Sequence, residues 1–267
     1  GHGTSVVNHR LGEIKRMVGG GAALIGALAF PPTCAGCRKL VVEPGTLCAE
    51  CWRGLAMIER PYCEVLGIPF VCEMGEKAVC LAALTEPPPF ARARAAVAYD
   101  GVARRLVQGL KFRDRTDLAP WMARWMARAG AELLDDADMI VPVPLHRRRF
   151  LLRRFNQAAE LGRAIAVRAG LAFEPELVLR ARSTRQQVGL GLAERRSNVR
   201  GAFAVPPGRR ALVKGRRVLV VDDVYTTGAT VSAVARALVR AGAEAVDVLT
   251  FARVLSEDFR DDAAAPI

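Results

Sequence analysis

The chain has no run of about 20 consecutive apolar residues, the length that a membrane-spanning helix needs. Aromatic residues make up only 6%, so a surface on which nucleobases stack is not favoured. Lysine is scarce too, since only five of the 39 basic residues are lysines, although the net charge is +12. Because guanidinium groups pair with phosphate oxygens two at a time, this excess of arginine favours partners that carry phosphate.

Two common nucleotide-binding motifs are also missing. No G-x4-G-K-[ST] sequence occurs, which excludes a P-loop. The segment GLGLAE at 189–194 lacks the third glycine of a dinucleotide-binding fingerprint. A phosphate-bearing ligand therefore needs another kind of loop.

Residues 1–29 contain a segment that imitates a secretory signal. Two basic residues precede the apolar run 17–29, which ends in an Ala-Leu-Ala triplet. The alternative is a short N-terminal helix or extension, stopped by the prolines at 31 and 32. Met17 is an alternative start of the chain. The cysteines that follow decide between these interpretations.

Four cysteines have the spacing of a zinc site: Cys34 and Cys37 form one C-x2-C pair, and Cys48 and Cys51 form another ten residues later. Tetrahedral Zn²⁺ takes four thiolates at about 2.3 Å, which two such knuckles supply. Two disulfides in a secreted protein are the alternative, but the chain has seven cysteines, an odd number, and is long enough to need no staples. We therefore predict a structural zinc, a reducing cytoplasmic location and no signal peptide.

Cys63, Cys72 and Cys80 follow without C-x2-C spacing. The segment PYCEVLG at 61–67 is typical of a knuckle whose second cysteine has been replaced. Scattered cysteines are more often small buried hydrophobes than ligands, so a second zinc is the less favoured alternative. We predict a zinc-ribbon domain over 30–84, in which the folding of 33–60 depends on the first metal.

The remaining chain has the pattern of an α/β domain. Three consecutive prolines mark a stiff linker at 85–90, and the predicted domain covers 91–256, followed by a tail at 257–267. Strands are predicted at 94–100, 138–144, 177–181, 217–223 and 245–253, and helices at 102–112, 117–129, 156–170 and 229–241. Near-continuous apolar strands joined by helices indicate a mostly parallel sheet covered on both faces. Ligands of such sheets bind beyond the carboxyl ends of the strands.

The segment VVDDVYTTGAT at 220–230 lies at such an end. Asp222 and Asp223 close a buried strand, and a loop rich in threonine, with Gly228, opens the next helix. The N–H groups of a helix N-terminus suit an anion, and two carboxylates suit the hydroxyls of a sugar that carries this anion. A simple N-capped helix, with Thr226 or Thr227 as the cap, explains one threonine but not the two carboxylates.

This segment resembles the motif that binds 5-phosphoribosyl-1-pyrophosphate (PRPP) in type I phosphoribosyltransferases. The rest of the chain looks like the competence-associated ComF family: a zinc ribbon, then VPVPLHRRR and FNQA, then Q-x-G-L and E-R-R-S-N-x-x-G-A-F, then the PRPP loop. The resemblance covers residues 30 to 254 and departs from the family in the incomplete second knuckle. It implies a type I phosphoribosyltransferase fold behind a small zinc-ribbon domain.

The resemblance also implies roles for individual residues. Asp222 and Asp223 are expected to bind the ribose hydroxyls during catalysis. The 5′-phosphate would lie in the loop formed by Thr226, Thr227, Gly228, Ala229 and Thr230. Leu145 and His146 would contact the pyrophosphate, and Arg147 would stabilise it as it departs. Mg²⁺ is expected with PRPP, held mainly by pyrophosphate and ribose oxygens.

Two further sets of residues complete the expected site. A polar, glycine-punctuated hairpin at 183–200 resembles the flexible loop that closes type I sites. Its residues that match the family are Gln187, Arg195, Arg196 and Asn198. Thr226 stands where purine-salvage relatives carry an aspartate that contacts the base, so salvage of 6-oxopurines is not favoured.

Two functions remain open at this point. One is a transferase that displaces pyrophosphate from PRPP with an unidentified acceptor, linked to DNA uptake or utilisation. The other is an accessory protein that binds single-stranded DNA and a competence helicase, with PRPP as a regulator. The arginine-rich segments 147–154 and 195–200 suit either, because contacts to phosphates require no recognition of sequence.

Overall fold

The computed structural model describes residues 31–43, 45–75, 77–112, 117–145, 156–180 and 201–255. The predicted N-terminal extension 1–29 and tail 257–267 lie outside these residues. The chain divides into two compact units, Gly1–Trp52 and Arg53–Ile267. The packing thus divides the chain at Trp52, whereas the predicted linker 85–90 lies within the second unit, where Phe90 is buried in the core.

The second unit contains a five-stranded sheet whose neighbouring strands are all parallel. Numbered in chain order, the strands are β1 (Arg92–Ala98), β2 (Met139–Pro142), β3 (Ala172–Phe173), β4 (Leu179–Arg180), β5 (Phe203–Ala204), β6 (Arg217–Tyr225) and β7 (Ala245–Arg253). The main sheet has the order β1-β7-β6-β2-β3, so that β6 lies at its centre. A separate antiparallel pair consists of β4 and β5.

Two short helices precede β1, and the other helices lie between the strands in the chain. In chain order they are α1 (Ala49–Arg53), α2 (Leu81–Thr85), α3 (Gly101–Phe112), α4 (Leu118–Ala129), α5 (Ala131–Asp136), α6 (Gln157–Ala169), α7 (Arg210–Val213) and α8 (Ala229–Arg240), with a 3-10 turn at Pro207–Arg209. In the part of the chain that the structure describes, no helix is both long and apolar enough to cross a membrane.

Helices cover both faces of the sheet. Val218 and Val220 of β6 pack in one buried cluster with Val234 and Leu238 of α8. α4 and α6 contact each other, and α4 packs on β1 and β7 while α6 packs on β2 and β6. Because both faces are buried, the strands are mainly apolar rather than alternating, and charged residues within them, such as Arg94 and Asp247, are held in ion pairs. The predicted fold class, a mostly parallel sheet flanked by helices, is confirmed.

The predicted strand at 177–181 differs most from the structure. Leu177 and Val178 are buried outside any strand, and only Leu179–Arg180 is extended, in the antiparallel pair rather than in the main sheet. The edge of the main sheet is instead Ala172–Phe173, directly after α6. Pro175, which has no N–H for a ladder, separates these two segments. Strands of two residues are too short for a periodicity to mark them.

Candidate functional site

Four cysteine sulfurs form a cluster in the first unit. The sulfurs of Cys34, Cys37, Cys48 and Cys51 all lie within 4.8 Å of one another. The Cys37 and Cys48 sulfurs are 3.6 Å apart, close to the separation of about 3.8 Å that a tetrahedron of thiolates at 2.3 Å from Zn²⁺ requires. The donor set and its geometry therefore fit a structural zinc ion.

Backbone N–H groups donate hydrogen bonds to sulfurs of this cluster and so favour the thiolate form that binds a cation. The Cys48 N–H donates to Cys34 Sγ at 3.2 Å, and the Cys51 N–H donates to Cys48 Sγ at 3.5 Å. Burial alone would raise the pKa of the Cys34 thiol, but N–H groups of the two knuckles outweigh it and lower this pKa to about 6. A thiol that ionises this readily is a good zinc ligand.

The three other cysteines do not join a metal cluster among the described residues. Cys63 is fully buried, Cys72 is exposed and Cys80 is half-buried. The expectation of small buried hydrophobes thus applies to Cys63 but not to Cys72.

The acidic pair lies at the carboxyl end of β6, beside the carboxyl end of β2. Asp223 is buried, whereas Asp222 is half-buried and accepts a hydrogen bond from the Asp223 N–H at 2.9 Å. Because β6 is the central strand and its neighbours are parallel, this end has loops from several strands around it. Both carboxylates therefore lie where a parallel sheet binds its ligands.

Lys111, at the end of α3, is a site residue that the sequence does not reveal. Its Nζ lies 2.8 Å from Asp223 Oδ2. Burial would lower the pKa of Lys111, but the charges of Asp223 and Asp222 outweigh it and raise this pKa above its usual value. The ammonium group therefore stays charged and offsets part of the negative charge of the two carboxylates.

The surroundings of Asp222 destabilise its ionised form. Burial, followed by the charge of Asp223, raises the pKa of Asp222 to about 8 from its ordinary value of 3.8. Two neighbouring carboxylates resist joint ionisation in a poorly solvated place. A ligand that donates hydrogen bonds to both would relieve this repulsion.

The loop after β6 leads into α8 through a glycine cap. Gly228 is the N-cap residue of α8 with φ of 76°, and the first helical bond runs from the Ser232 N–H to the Gly228 carbonyl at 2.9 Å. A glycine cap offers no side-chain acceptor to the first turn, so the alternative of a threonine N-cap is wrong. Thr227 Oγ1 only accepts a long bond of 3.4 Å from the Ala229 N–H.

Tyr225 explains why residue 228 is glycine. A Cβ on Gly228 would lie 2.2 Å from Tyr225 Oη, which is far inside van der Waals contact. The Tyr225 ring is in turn fixed by the guanidinium of Arg253, 4.0 Å from its centroid, and by Phe90 in an edge contact at 6.4 Å. The loop therefore rests on a rigid aromatic support.

A cavity of about 640 Å³ adjoins this loop. Thr227 and Gly228 line it on one side, with the prolines 87–89 and, from α8, Arg236 and Arg240. Asp222 and Asp223 do not line it. A ligand group that contacts the acidic pair would therefore leave this cavity largely unfilled.

The expected pyrophosphate turn begins beside Asp222. The Val143 N–H donates to the Val221 carbonyl at 2.9 Å, so Leu145 follows directly after the last contact of β2 with β6. Asn156 caps α6 by accepting from the Ala158 N–H, and its Nδ2 donates to the Val143 carbonyl, both at 3.1 Å. One side chain thus ties the two ends of the turn together, a role that the sequence alone does not show.

The remaining predicted site residues lie outside the described residues. These are His146, Arg147, Gln187, Arg195, Arg196 and Asn198. The strands on either side of the predicted hairpin, β4 and β5, pair antiparallel.

Comparisons with known families match both parts of the chain. Residues 25–84 match the family described as the double zinc ribbon domain. Residues 169–265 match the family described as the phosphoribosyl transferase domain. The first match covers the four-cysteine cluster, and the second covers β6 and its loop.

Whole-length relatives are also found. DNA utilization protein YhgH of Salmonella typhi is 33% identical over 236 residues, covering 85% of this chain and 100% of that protein. The protein of the same name in Escherichia coli (strain K12) is 32% identical over 237 residues, with the same coverage of 85% and 100%. Competence protein F of Haemophilus influenzae is 29% identical over 230 residues, covering 82% of this chain and 96% of that protein.

Proposed function

The chain belongs to the ComF family, and from this premise we propose that it binds PRPP at the carboxyl end of β6 and displaces its pyrophosphate with an acceptor. The observation that carries this proposal is the position of Asp222 and Asp223. They lie near the carboxyl end of the central strand of a parallel sheet, which ends at Tyr225, and the next helix begins at Ala229 behind a glycine cap. The acceptor is a group that the geometry does not name.

The charges of the site suit a sugar phosphate better than a free anion. With Lys111 beside Asp223, the carboxylates retain acceptor capacity for neutral hydroxyls. The 2′ and 3′ hydroxyls of ribose would donate to Asp222 and Asp223. The 5′-phosphate would accept from N–H groups of the loop 226–230, at the positive end of α8.

Transfer would break the bond between C1′ and the pyrophosphate oxygen as the acceptor attacks C1′. The carboxylates would hold the ribose while positive charge develops at C1′, and the turn after β2 would receive the departing anion. In that turn Leu145, His146 and Arg147 are the proposed contacts, with Arg147 offsetting the leaving charge. Asn156 would hold the two ends of the turn at a fixed distance.

Magnesium is a proposed part of the bound ligand. Asp222 and Asp223 supply the hard oxygen donors that Mg²⁺ prefers, but Lys111 already contacts Asp223 at 2.8 Å. A site built from protein ligands alone is therefore unfavourable, and the residues fit an ion that arrives with pyrophosphate. When bound, it would neutralise charge on the leaving group.

A link to DNA is the second part of the proposal. The relatives carry names that state DNA utilization and competence. In this chain Arg236 and Arg240 lie one turn apart on α8 and line the cavity beside the loop. Arginines at this spacing suit successive phosphates of a strand. An accessory that binds single-stranded DNA, with PRPP as regulator, is the alternative that this charge favours.

Calorimetry with PRPP and Mg²⁺ tests the ligand. Replacing Asp222 and Asp223 together by asparagine keeps their size and removes the carboxylate acceptors that the two residues offer to a ligand once both are ionised. Hydrogen bonds to charged groups are worth about 1.5–3 kcal/mol each, so the affinity should fall at least tenfold. Unchanged affinity in the double variant would contradict the assignment.

Asp247→Asn is the matched control. Asp247 is a buried carboxylate on the neighbouring strand β7, but it pairs with Arg92 at 2.6 Å near the opposite end of the sheet. This variant should lose stability while its PRPP affinity stays that of the wild type. An equal loss of affinity in both variants would mean that the effect comes from general damage to the sheet.

Release of pyrophosphate distinguishes the two functions. Wild-type protein is incubated with PRPP and Mg²⁺, and nucleobases or a single-stranded oligonucleotide are added as acceptors. Release that depends on an acceptor supports transfer. Absence of release, together with oligonucleotide affinity that changes with PRPP and falls steeply with salt, would favour the accessory function.

A further inference from the structure

Two segments of the chain have the same backbone and are named here the first repeat (residues 31–52) and the second repeat (residues 61–85). In the first, the Cys34 N–H donates to the Lys39 carbonyl at 2.6 Å. In the second, the Cys63 N–H donates to the Ile68 carbonyl at 2.8 Å. The intervening turn is left-handed in both, at Arg38 with φ of 67° and at Gly67 with φ of 63°.

The second half of each repeat agrees as well. The Cys48 N–H donates to Cys34 Sγ at 3.2 Å, and the Cys80 N–H donates to Cys63 Sγ at 3.3 Å. Each of these later cysteines directly precedes a short helix: Cys48 precedes α1, and Cys80 precedes α2. Cys63 therefore corresponds to Cys34, and Cys80 corresponds to Cys48.

In the second repeat, apolar residues occupy the positions that correspond to the other two zinc ligands. Leu66 stands in the place of Cys37, and Ala83 stands in the place of Cys51, by the common C-x2-C spacing. Leu66 packs against the buried cluster of the sheet and Ala83 is buried. Neither side chain can bind a metal, so the residues of the second repeat do not fit the second zinc that a double zinc ribbon implies.

Two thiols remain where four ligands would be. Cys63 Sγ accepts from the N–H groups of Leu66 and Cys80, each at 3.3 Å, so the backbone of Cys80 lies directly against the Cys63 sulfur. Burial would raise the pKa of Cys63, but these N–H donors outweigh it and hold this pKa below its usual value. Burial raises the pKa of Cys80, which is half-buried and thus within reach of small solutes.

We propose that Cys63 and Cys80 are a redox-active dithiol, which closes to a disulfide with a small peroxide and thereby acts on the loop 226–230. Cys80 is the sulfur that a peroxide can reach: its thiolate attacks one peroxide oxygen, the O–O bond breaks, the thiol proton leaves with the second oxygen as water, and a sulfenic acid forms. Cys63 sulfur then attacks the Cys80 sulfur, forming the S–S bond and releasing a second water. In sum, two thiols and one peroxide give one disulfide and two waters, and a dithiol reductant reverses the change.

A short path of contacts leads from this dithiol to the loop. The Leu66 N–H donates to Cys63 Sγ at 3.3 Å, and the Leu66 carbonyl accepts from Nη1 of buried Arg253 at 2.7 Å. The same guanidinium lies over Tyr225, whose hydroxyl lies against Gly228. Closure of the disulfide moves Cys63 Sγ, which accepts from the Leu66 N–H, and so shifts the Leu66 backbone to which Arg253 donates. The support of the loop should therefore loosen.

The test uses the full-length, zinc-loaded protein, treated with hydrogen peroxide, alkylated and digested for mass spectrometry. A cross-link between Cys63 and Cys80, two hydrogens lighter than the free peptides, is expected, while the zinc content is unchanged. Exposed Cys72 is the internal control for access of the oxidant. Oxidation of Cys72 without the cross-link, or release of zinc upon its formation, would overturn the proposal.

Hydrogen exchange of the 226–230 amides tests the action on the loop. Exchange should become about twofold faster or more after oxidation of the wild type, and should not respond in Cys80→Ser. Cys63→Ala, which keeps the buried position apolar, serves as a second unresponsive variant. A cross-link that leaves loop exchange unchanged would also overturn the proposal. Neither readout requires PRPP, so failure of the proposed function would be seen separately.

Discussion

In the first repeat, four sulfurs within 4.8 Å of one another surround a place for zinc, and few apolar side chains are buried. In the second repeat, two of those positions hold Leu66 and Ala83, and stabilisation comes from the sheet. Gly67 packs so closely on β1 that an added Cβ would lie 2.3 Å from the Ala93 carbonyl oxygen. The Ala93 N–H also donates to the Val65 carbonyl at 2.8 Å.

Buried arginines complete this attachment. Arg94, with a side chain only 2% exposed, contacts Glu64 of the second repeat at 2.8 Å and Glu132 of α5 at 2.7 Å. Arg253 donates to the Leu66 carbonyl at 2.7 Å. The same ribbon backbone can thus be held by a metal or by docking on a larger core. The second repeat therefore tolerates the loss of two metal ligands, because its packing on the sheet stabilises it.

Removal of the metal should give the largest difference between the repeats. Structural zinc contributes about 10–16 kcal/mol in small zinc domains, so Cys34→Ser should unfold the first repeat. Trypsin should then cleave at Arg38 and Lys39 much faster, while cleavage at Lys77 in the second repeat stays slow. Zinc content falls from one per chain to none in the same sample. Equal resistance at Arg38 and Lys39 would contradict the metal assignment.

The left-handed turn offers a matched pair of substitutions. Gly67→Ala combines a strained φ with a clash against backbone and should cost about 3 kcal/mol of unfolding free energy. Arg38→Gly, at the corresponding position of the first repeat, removes strain and should change stability by less than about 1 kcal/mol. Urea denaturation of both variants checks this. A mild effect of Gly67→Ala would mean that the second repeat is not docked as described.

Arg94→Met should have the next largest effect. It leaves Glu64 and Glu132 without their buried partner, and we expect a loss of about 2–3 kcal/mol, since both carboxylates keep some access to water. Arg60 also pairs with Glu64 but has a side chain that is 58% exposed. Arg60→Met is therefore the control and should cost less than about 1 kcal/mol. Similar losses in the two variants would refute a special role for the buried arginine.

A gain of stability is expected at the ligand site, within the same unit as the second repeat. The pKa of Asp222 is raised in the folded protein to about 8 from 3.8, so the folded state binds more protons than the unfolded state over this range. Stability of the wild type therefore falls as pH rises from about 4 to about 8. Asp222→Asn removes this dependence and should be the more stable protein at the upper end.

Urea titrations without ligand at about pH 4.5 and about pH 8 measure this difference. The advantage of Asp222→Asn should be larger at the higher pH, and its zinc content should equal that of the wild type. An advantage that stays constant or shrinks as pH rises would show that the pKa of Asp222 is not raised in the folded protein.

Sequence patterns predicted the features whose residues are close together in the chain. The four zinc ligands, the acidic pair and the buried central strand lie within short segments of fixed spacing. Lys111 and Arg253 were not predicted, because their partners Asp223 and Leu66 are 112 and 187 positions away and no local pattern links them. The sequence predicted that the second cysteine of the knuckle at 61–67 is replaced. It did not predict that this repeat packs on β1, because no local pattern links the two segments.

Crystallography of the protein with excess PRPP and Mg²⁺ tests the proposed function most directly. The 5′-phosphate is expected within hydrogen-bonding distance of N–H groups in the loop 226–230. The ribose hydroxyls are expected on Asp222 and Asp223, with pyrophosphate beside the turn after β2. Density for the ligand elsewhere on the protein, or a phosphate in the loop with the ribose turned away from both aspartates, would contradict it.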